Sequence, residues 1–310
     1  MKWKLPRNRL ALTAFLVIAV PILLGGFLGG MFILNGLFLG TKNEVLVKAY
    51  SHPPSRELAQ GEGIRVISYN IAKAFSHKRG LKFATEEEVL WYLGEMAKAV
   101  GQENPDLVFL SEALRECGPC PVNHVATLAD MLGMHASAFG ENYNFGLPFF
   151  RIIGGNAILS RWPIEPVANP DLSGRRPFYV TKNNRRALWC RIRVAGRPLL
   201  IAALHNDSFD KHNNAVQAAH IVDFAKAHGE RNVLLAGDFN CLPTWVSMET
   251  YKNSELFNGE WDGPFTFPAE KPKRTIDYIL GPKDWDVVEH RVIESQASDH
   301  LPVLTVFRVK

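Results

Sequence analysis

Residues that can bind a metal ion or move a proton recur in this sequence at the ends of short apolar segments rich in β-branched residues. Such segments are typical of β-strands. Each occurrence alone has an ordinary explanation, because Asn and Asp favour turns and a lone His is more often structural. Their recurrence in one chain indicates a common site. The residues are Asn70, Glu112, His205, Asp238, Asn240 and the run Ser298-Asp299-His300.

One carboxylate, Asp277, lies inside such a segment rather than at its end. Its neighbours Ile276 and Tyr278 predict a buried position, where an ionised carboxylate is costly unless it is paired. His300 is the partner that the sequence offers. We therefore predict a buried pair of Asp277 and His300.

The elements that must position these residues are predicted from hydrophobic periodicity. Apolar residues at helical spacing predict helices over 86–100 and 213–227. Two β-rich halves that each carry a helix predict an α/β fold with two stacked sheets and helices on their outer faces. The predicted strands span 64–69, 107–110, 156–159, 187–194, 199–204, 233–236, 275–280, 287–293 and 302–309.

The first 40 residues differ in composition from the rest. Four basic residues and no acid occur in 1–9, and no charged residue occurs in 10–40. About 20 apolar residues suffice to cross a bilayer, and this run is too long for the apolar region of a signal peptide. We predict a cytoplasmic N-terminus over 1–9, a single-pass transmembrane anchor over 10–40, a linker over 41–62 and a globular domain over 63–310. Because the basic excess precedes the span, the globular domain is expected outside the cytoplasm.

Net charge separates the two regions further. The 310 residues carry a formal charge of +4, and without the four basic residues of 1–9 the other 31 basic residues equal the 31 acidic ones. A neutral globular part is not typical of a protein that binds many phosphates along a duplex. The excess of basic residues therefore lies next to the predicted transmembrane anchor and not in the globular domain.

Two cysteines, Cys117 and Cys120, have the spacing of a redox motif. Such a motif normally begins a helix early in a small βαβ unit, whereas here it lies in a turn-rich loop of a longer domain. A zinc site would need a second pair of ligands. A local disulfide and a pair of loop thiols both remain open.

Seven short motifs occur in order along the globular part. They are Tyr69-Asn70-Ile71, Leu110-Ser111-Glu112, the run from Gly155 to Arg161, Leu204-His205, Gly237-Asp238-Phe239-Asn240, Ile276-Asp277-Tyr278 and the run from Ser298 to Val303. Together they resemble the endonuclease/exonuclease/phosphatase superfamily, which includes deoxyribonucleases, abasic-site endonucleases, neutral sphingomyelinases and inositol-polyphosphate 5-phosphatases. The resemblance covers residues 64–309, and it implies a four-layered α/β sandwich over the catalytic domain 63–310.

Two positions depart from the family pattern. Ser111 stands where many members have Gln, a mild change because the following carboxylate would bind the metal. Ala72 stands where abasic-site enzymes carry an acid. This second departure disfavours that branch and a second metal site that depends on the acid.

The resemblance implies a role for each residue of the set. Mg²⁺, with Mn²⁺ as a substitute, is expected at Glu112 with support from Asn70 and Asp299, because Mg²⁺ prefers oxygen ligands. Asp238 is expected to orient and deprotonate the attacking water. The other catalytic residues implied are Asn240, which fixes geometry, His205, which donates to the phosphate or leaving group, and His300, held by Asp277 as a cation.

Substrate contacts are predicted from a basic cluster and from the third motif. The cluster consists of Arg175, Arg176, Lys182, Arg185 and Arg186. Arg185 and Arg186, just before a predicted strand, and Asn156 are expected to contact the substrate. The aromatic segment 139–150 is expected to be a packed loop or hairpin rather than a membrane-contacting lip.

The activity predicted is Mg²⁺-dependent hydrolysis of a phosphodiester, with a lipid headgroup or another small phosphodiester favoured by the anchor and the neutral domain. The alternative is a membrane-tethered nuclease, with nucleic acid as the substrate. A non-catalytic binding module on the same scaffold would be expected to have lost some of the polar set. The sequence does not indicate an oligomeric state.

Overall fold

The computed structural model describes residues 7–38, 43–55, 57–79, 82–147, 150–172, 174 and 185–310. Its first helix, α1 (Arg7–Phe38), precedes the globular part. The stretch Leu12–Met31 of this helix is 20 residues long and apolar, and none of its residues is buried. It is therefore long and apolar enough to cross a membrane.

Two large mixed sheets form the globular part. The first has the order β1-β6-β7-β5-β2-β15-β14 and the second β12-β13-β11-β10-β9-β8, while β3 and β4 pair separately. Their bounds are β1 (Val45–Ala49), β2 (Gly63–Asn70), β3 (His77–Arg79), β4 (Lys82–Phe83), β5 (Leu107–Cys117), β6 (Ala136–Leu147), β7 (Phe150–Ser160), β8 (Glu165–Ala168), β9 (Ala187–Val194), β10 (Arg197–His205), β11 (Val233–Asp238), β12 (Phe257–Gly259), β13 (Asp277–Pro282), β14 (Asp286–Val292) and β15 (Val303–Arg308).

Helices cover the outer face of each sheet. They are α2 (Glu86–Gly101), α3 (His124–Met131), α4 (Lys211–His228) and α5 (Val246–Asn253). Val89 and Leu93 of α2 pack on the first sheet, and Ile221 of α4 packs on the second. Between the sheets, apolar side chains such as Phe109 and Ile201 form the central core. Each such buried side chain contributes about 1.5–3 kcal/mol. The layers confirm the predicted α/β fold of two stacked sheets flanked by helices.

Local sequence signals set the helix ends. Thr85 and Glu88 form a reciprocal capping box at the start of α2, and Asp210 caps α4 by accepting hydrogen bonds from the first-turn amides. Such caps contribute about 1 kcal/mol each. Gly229, with φ of 67°, ends α4 in the left-handed conformation that glycine adopts readily.

Several elements differ from the sequence prediction. β5 continues past Glu112 to Cys117 instead of ending there, and Asp277 begins its strand rather than lying within it. The expected linker 41–62 contributes β1, which pairs with β6 and adds an edge strand to the first sheet. In the expected loop or hairpin 139–150, residues 139–147 belong to β6 and Phe150 begins β7, and these two strands pair antiparallel. Cys117 and Cys120 are buried free thiols rather than a disulfide.

Candidate active site

The carboxyl ends of two parallel strand pairs position the candidate site. The register of β2 and β5 places Asn70 opposite Ser111, and that of β10 and β11 places His205 opposite Asp238. On the other side of β11, Asp277 lies opposite Asp238. The Oγ atom of Ser111 donates to the carbonyl oxygen of Leu204 at 2.9 Å and so joins the two sheets beside the site. Parallel pairing thus gathers side chains that are distant in sequence.

The predicted pair of Asp277 and His300 is present. Nδ1 of His300 donates to Oδ2 of Asp277 at 2.9 Å, and Oγ1 of Thr266 donates to the same oxygen at 2.6 Å. Burial alone would lower the pKa of His300, but the charge and hydrogen bond of Asp277 outweigh it and raise this pKa to about 10. The imidazole is therefore a buried cation at neutral pH.

Asp238 is a buried carboxylate that several donors surround. Its Oδ2 accepts a hydrogen bond from Nδ2 of Asn70 at 3.0 Å, and its Oδ1 accepts from the backbone N–H of Asn240 at 2.9 Å. Nε2 of His300 lies 3.9 Å from Oδ2. Burial, and next the nearby charge of Asp277, raise the pKa of Asp238 above its ordinary value, while His300 opposes them. A carboxylate of this kind is a competent proton acceptor near neutral pH.

Glu112 projects into the site from an irregularity in β5. Its φ of 57° is left-handed, and the ladder with β7 shifts register between Leu110 and Ala113. Its carboxylate forms an ion pair with the ammonium of Lys73. Burial would raise the pKa of Glu112, but the charge and hydrogen bond of Lys73 outweigh it and lower this pKa to about 2. Glu112 is therefore ionised.

His205 lies between the two carboxylates as a neutral ring. Its Nε2 atom is 3.9 Å from Oε1 of Glu112 and 3.7 Å from Oδ2 of Asp238. Burial, followed by the charge of Arg185, holds the pKa of His205 well below its usual value. These separations are therefore contacts of a neutral imidazole and not ion pairs.

A cavity of about 530 Å³ opens onto these groups. Charged and polar side chains line it, including those of Lys73, Glu112, Arg185, Asp238 and His300. Apolar side chains line it as well, namely those of Phe209, Leu242, Trp245, Phe267 and Ile276. Phe209 is 76% exposed. The cavity can therefore accept an anionic group beside an apolar one.

Two residues that were predicted to contact substrate are placed elsewhere. The side chain of Arg186 donates to the carbonyl oxygen of Asn169 at 2.7 Å and to Oδ1 of Asn43 at 2.5 Å, outside the cavity lining. Asn156 donates to the carbonyl oxygens of Arg186 and Ala203, so it holds strands together. The prediction for Arg185 agrees with its place in the cavity. Arg175, Arg176 and Lys182 lie outside the described residues.

Two of the three predicted metal ligands also lie outside the cavity lining. Asp299 is exposed, and its Oδ1 accepts from Oγ of Ser298 at 3.4 Å. The Oδ1 atom of Asn70 accepts from the backbone N–H of Ala72 at 3.0 Å. Both side chains thus border the site, whereas Glu112 projects into it.

Several residues that build or hold the site were not predicted from the sequence. Lys73 lines the cavity. Nδ2 of Asn214 donates to the carbonyl oxygen of Asp207 at 2.7 Å and to that of Phe239 at 2.9 Å. Nδ2 of Asn240 donates to the carbonyl oxygen of Asn206 at 3.0 Å. The one available signal was the polar run of Asn206, Asp207 and Ser208 that directly follows His205.

Comparison with known proteins agrees with this geometry. The chain matches the Endonuclease/Exonuclease/phosphatase family over residues 67–300. It belongs to this family. The uncharacterized protein YbhP of Escherichia coli K12 is 28% identical over 234 residues, which are 69% of this chain and 83% of YbhP.

Solved structures of low sequence identity share the family fold. An endonuclease/exonuclease/phosphatase from Beutenbergia cavernae has a TM-score of 0.59 at 21% identity, covering 82% of this chain and 72% of its own. A mannosyl-6-phosphatase from Bacteroides thetaiotaomicron has a TM-score of 0.55 at 17% identity, covering 78% and 98%. Members of the endonuclease/exonuclease/phosphatase family are hydrolases of phosphoesters, and they generally use divalent metals.

Among the residues that the structure describes, two groups could hold a divalent metal. Asp238, Asp277 and His300 offer ligand atoms within 4.8 Å of one another. Their proximity follows from the hydrogen bond between His300 and Asp277, and an imidazolium cannot be a ligand. Glu112 fits better, because its carboxylate is ionised and the ammonium of Lys73 shows that a cation is accepted there.

Proposed function

We propose that this chain hydrolyses a phosphodiester with the help of a divalent cation, Mg²⁺ by preference, bound through Glu112. The single observation that carries the proposal is that an ionised carboxylate, a second carboxylate of raised pKa and a buried imidazolium share one cavity. A bound cation would neutralise charge on a phosphoryl oxygen. Attack by water on an anionic ester needs that neutralisation together with a positioned base.

The chain's own residues supply the proton acceptor and the fixed charges. Asp238 accepts a proton from the attacking water, and the backbone N–H of Asn240 holds Oδ1 of Asp238 in place. His300 presents its charge to the phosphoryl oxygens, because Asp277 occupies its Nδ1 and leaves Nε2 directed toward Asp238. The neutral ring of His205 donates a hydrogen bond to another non-bridging oxygen or to the leaving group.

We propose a lipid headgroup or another small phosphodiester as the substrate. The apolar side chains that line the cavity together with the charged groups, such as Phe209 and Trp245, support an ester with an apolar portion. The apolar helix α1 would keep the domain beside a bilayer, and the neutral charge of the rest of the chain fits this substrate better than a duplex. Nucleic acid is the alternative substrate.

The test is a substrate panel for the full-length protein in detergent micelles, with Mg²⁺ or with EDTA. The panel contains sphingomyelin, phosphatidylinositol phosphates, single- and double-stranded DNA, and phosphate monoesters. Asp238→Asn should abolish turnover, whereas Asp223→Asn, the same change on the exposed face of α4, should not. Absence of Mg²⁺-dependent turnover on every substrate, or full activity of Asp238→Asn, would refute the proposal.

We further propose that the N-terminus is cytoplasmic and the catalytic domain extracytoplasmic. The four basic residues of 1–9 and the uncharged run 10–40 support this orientation. Protease added outside intact cells that carry a C-terminal epitope tag should remove the tag. Removal only after the membrane is permeabilised would contradict the orientation.

A further inference from the structure

Lys73 is a cation of the site that lies outside the seven family motifs. Its ammonium contacts Oε2 of Glu112, and its side chain lines the cavity that Asp238 and His300 also line. The side chain is 37% exposed, against 24% for that of Glu112. Both side chains of the ion pair are thus accessible from the cavity, and that of Lys73 is the more exposed.

The backbone of Lys73 is held in an uncommon conformation. Ala72, Lys73, Ala74 and Phe75 have φ values of 45°, 57°, 46° and 48°, so four consecutive residues other than glycine are left-handed. Single residues in this region are uncommon, and they persist where the surroundings over-determine them. Because the turn directly follows Asn70 and Ile71, it directs Lys73 toward Glu112 on the neighbouring strand.

A buried chain of hydrogen bonds holds this turn. Oγ of Ser76 donates to the carbonyl oxygen of Lys73 at 2.6 Å and contacts Nε2 of His124 at 3.3 Å. Nδ1 of His124 accepts from the backbone N–H of Leu114 at 3.2 Å. Nε2 therefore carries the ring proton and donates to Ser76. The turn is fastened to β5 through α3, so the backbone of Lys73 is held in place independently of its side chain.

The ammonium and a divalent cation both bind the carboxylate of Glu112. Glu112 has one carboxylate, and Lys73 already occupies its Oε2. A cation that takes both oxygens must displace the ammonium. The flexible four-carbon stem of a lysine then allows the charge to move into the cavity, where an anionic substrate provides its next partner.

We propose that Lys73 is an exchangeable cation: it occupies Glu112 when the divalent cation is absent and contacts the substrate phosphate when the cation is bound. The proposal rests on the proposed function, since it assigns a step to the same site. It differs from an ordinary surface ion pair in one respect. Replacement of Lys73 by a neutral residue should raise the affinity for the divalent cation and lower kcat/KM for the substrate.

The first experiment measures Mn²⁺ binding to the full-length protein in micelles by electron paramagnetic resonance, without substrate. Lys73→Gln should bind Mn²⁺ about tenfold more tightly than the wild type, because a charged hydrogen bond that competes for Glu112 is lost. Lys73→Arg should keep the weaker wild-type affinity. Lys226→Gln, the same change on an exposed part of α4, is the matched control. Equal or weaker Mn²⁺ binding by Lys73→Gln overturns the proposal.

The second experiment uses the wild type alone, so it does not depend on the folding of a variant. Acetylation of lysines is followed by mass spectrometry with and without Mn²⁺. Labelling of Lys73 should accelerate when Mn²⁺ binds, while that of Lys226 stays constant. Unchanged or slower labelling of Lys73 overturns the proposal.

The third experiment separates this inference from the proposed function. With the substrate found in the panel, Lys73→Gln should lower kcat/KM about tenfold or more although it binds the metal more tightly. If the wild type hydrolyses no substrate, the proposed function fails. Mn²⁺ binding and lysine labelling still decide whether the ammonium of Lys73 leaves Glu112 when the metal binds. Unchanged kcat/KM shows that Lys73 does not contact the phosphate and overturns that part.

Discussion

Nδ1 of His300 lies 2.9 Å from Oδ2 of Asp277, and Asp277 itself lies opposite Asp238 in the ladder between β11 and β13. One carboxylate therefore acts on two neighbours. It raises the pKa of His300 to about 10 and also raises the pKa of Asp238, to which burial contributes most. A base and a cation are thereby maintained side by side in one buried site.

Replacement of Asp277 should remove both effects at once. In Asp277→Asn the pKa of His300 falls toward or below that of an ordinary histidine, because the counter-charge is lost and burial remains. We expect kcat/KM to fall about 100-fold at neutral pH, the lower range for loss of one group that stabilises charge in the transition state. The loss should grow between pH 6 and 9, because the wild type keeps its imidazolium over that range and the variant does not.

The control for this variant is Asp286→Asn, the same change at an exposed residue that pairs with Lys310. Its kcat/KM and pH profile should match those of the wild type. A parallel pH profile for Asp277→Asn, with no larger loss at alkaline pH, would show that His300 does not act as a cation.

Glu112 should be the residue on which divalent metal binding depends most. Glu112→Gln removes the ionised carboxylate, and even the outer partners of metal ligands contribute about 10–100-fold to affinity. We expect Mn²⁺ affinity, measured by titration calorimetry, to fall at least about tenfold. Glu116→Gln is the matched control on the same strand, because Glu116 pairs with Arg151 at 3.1 Å. Equal losses in both variants would place the metal elsewhere.

The strand ends of the site were predictable because they depend on local sequence patterns. Apolar β-branched runs bounded by polar turn formers predicted β2, β10 and β11. The parallel pairing of β10 and β11 places His205 opposite Asp238, and Asn70 ends β2 in the other sheet. The pair of Asp277 and His300 was predictable from the cost of burying a lone charge.

Other features depend on side-chain direction and on tertiary contacts. Arg185 and Arg186 are adjacent, and successive residues of an extended chain point to opposite faces. Only the fold shows that Arg185 lines the cavity and Arg186 does not. β6 escaped prediction because polar residues such as Glu141 and Asn142 are buried in it. Lys73 reaches the site through a left-handed turn that has no periodic signal.

Gly237 should be intolerant of any side chain. Its φ is 149°, and a Cβ there would clash with the backbone carbonyl oxygen of Leu204. Because Asp238 follows directly, Gly237→Ala should lower the free energy of unfolding by about 2 kcal/mol or more and also reduce kcat. Gly94 lies on α2 with open space around it, so Gly94→Ala should instead raise the free energy of unfolding by about 0.5–1 kcal/mol. Thermal unfolding measures both, and equal stability of wild type and Gly237→Ala would contradict the argument.

His124 should make stability depend on pH. The pKa of this buried imidazole is lowered to about 3, first by burial and then by the charge of Lys73. In the unfolded chain the pKa is about 6.5. Between these values the unfolded chain binds more protons, so the contribution of His124 is complete above about pH 6.5 and is lost as the pH falls toward 3. The slope for one such group is about 1.4 kcal/mol per pH unit.

His124→Asn should flatten this dependence, since Asn can still accept from the backbone N–H of Leu114 but does not titrate. From pH 6.5 to pH 5 the wild type should lose about 2 kcal/mol more of its free energy of unfolding than the variant. His220→Asn, the same change at an exposed position of α4, should leave the wild-type slope unchanged. The measurement is urea unfolding of the full-length protein in micelles, followed by tryptophan fluorescence at each pH. Equal slopes for wild type and His124→Asn would show that His124 is not kept neutral. The assignment of the hydrogen bonds from Leu114 through His124 to Ser76 and Lys73 would then be wrong.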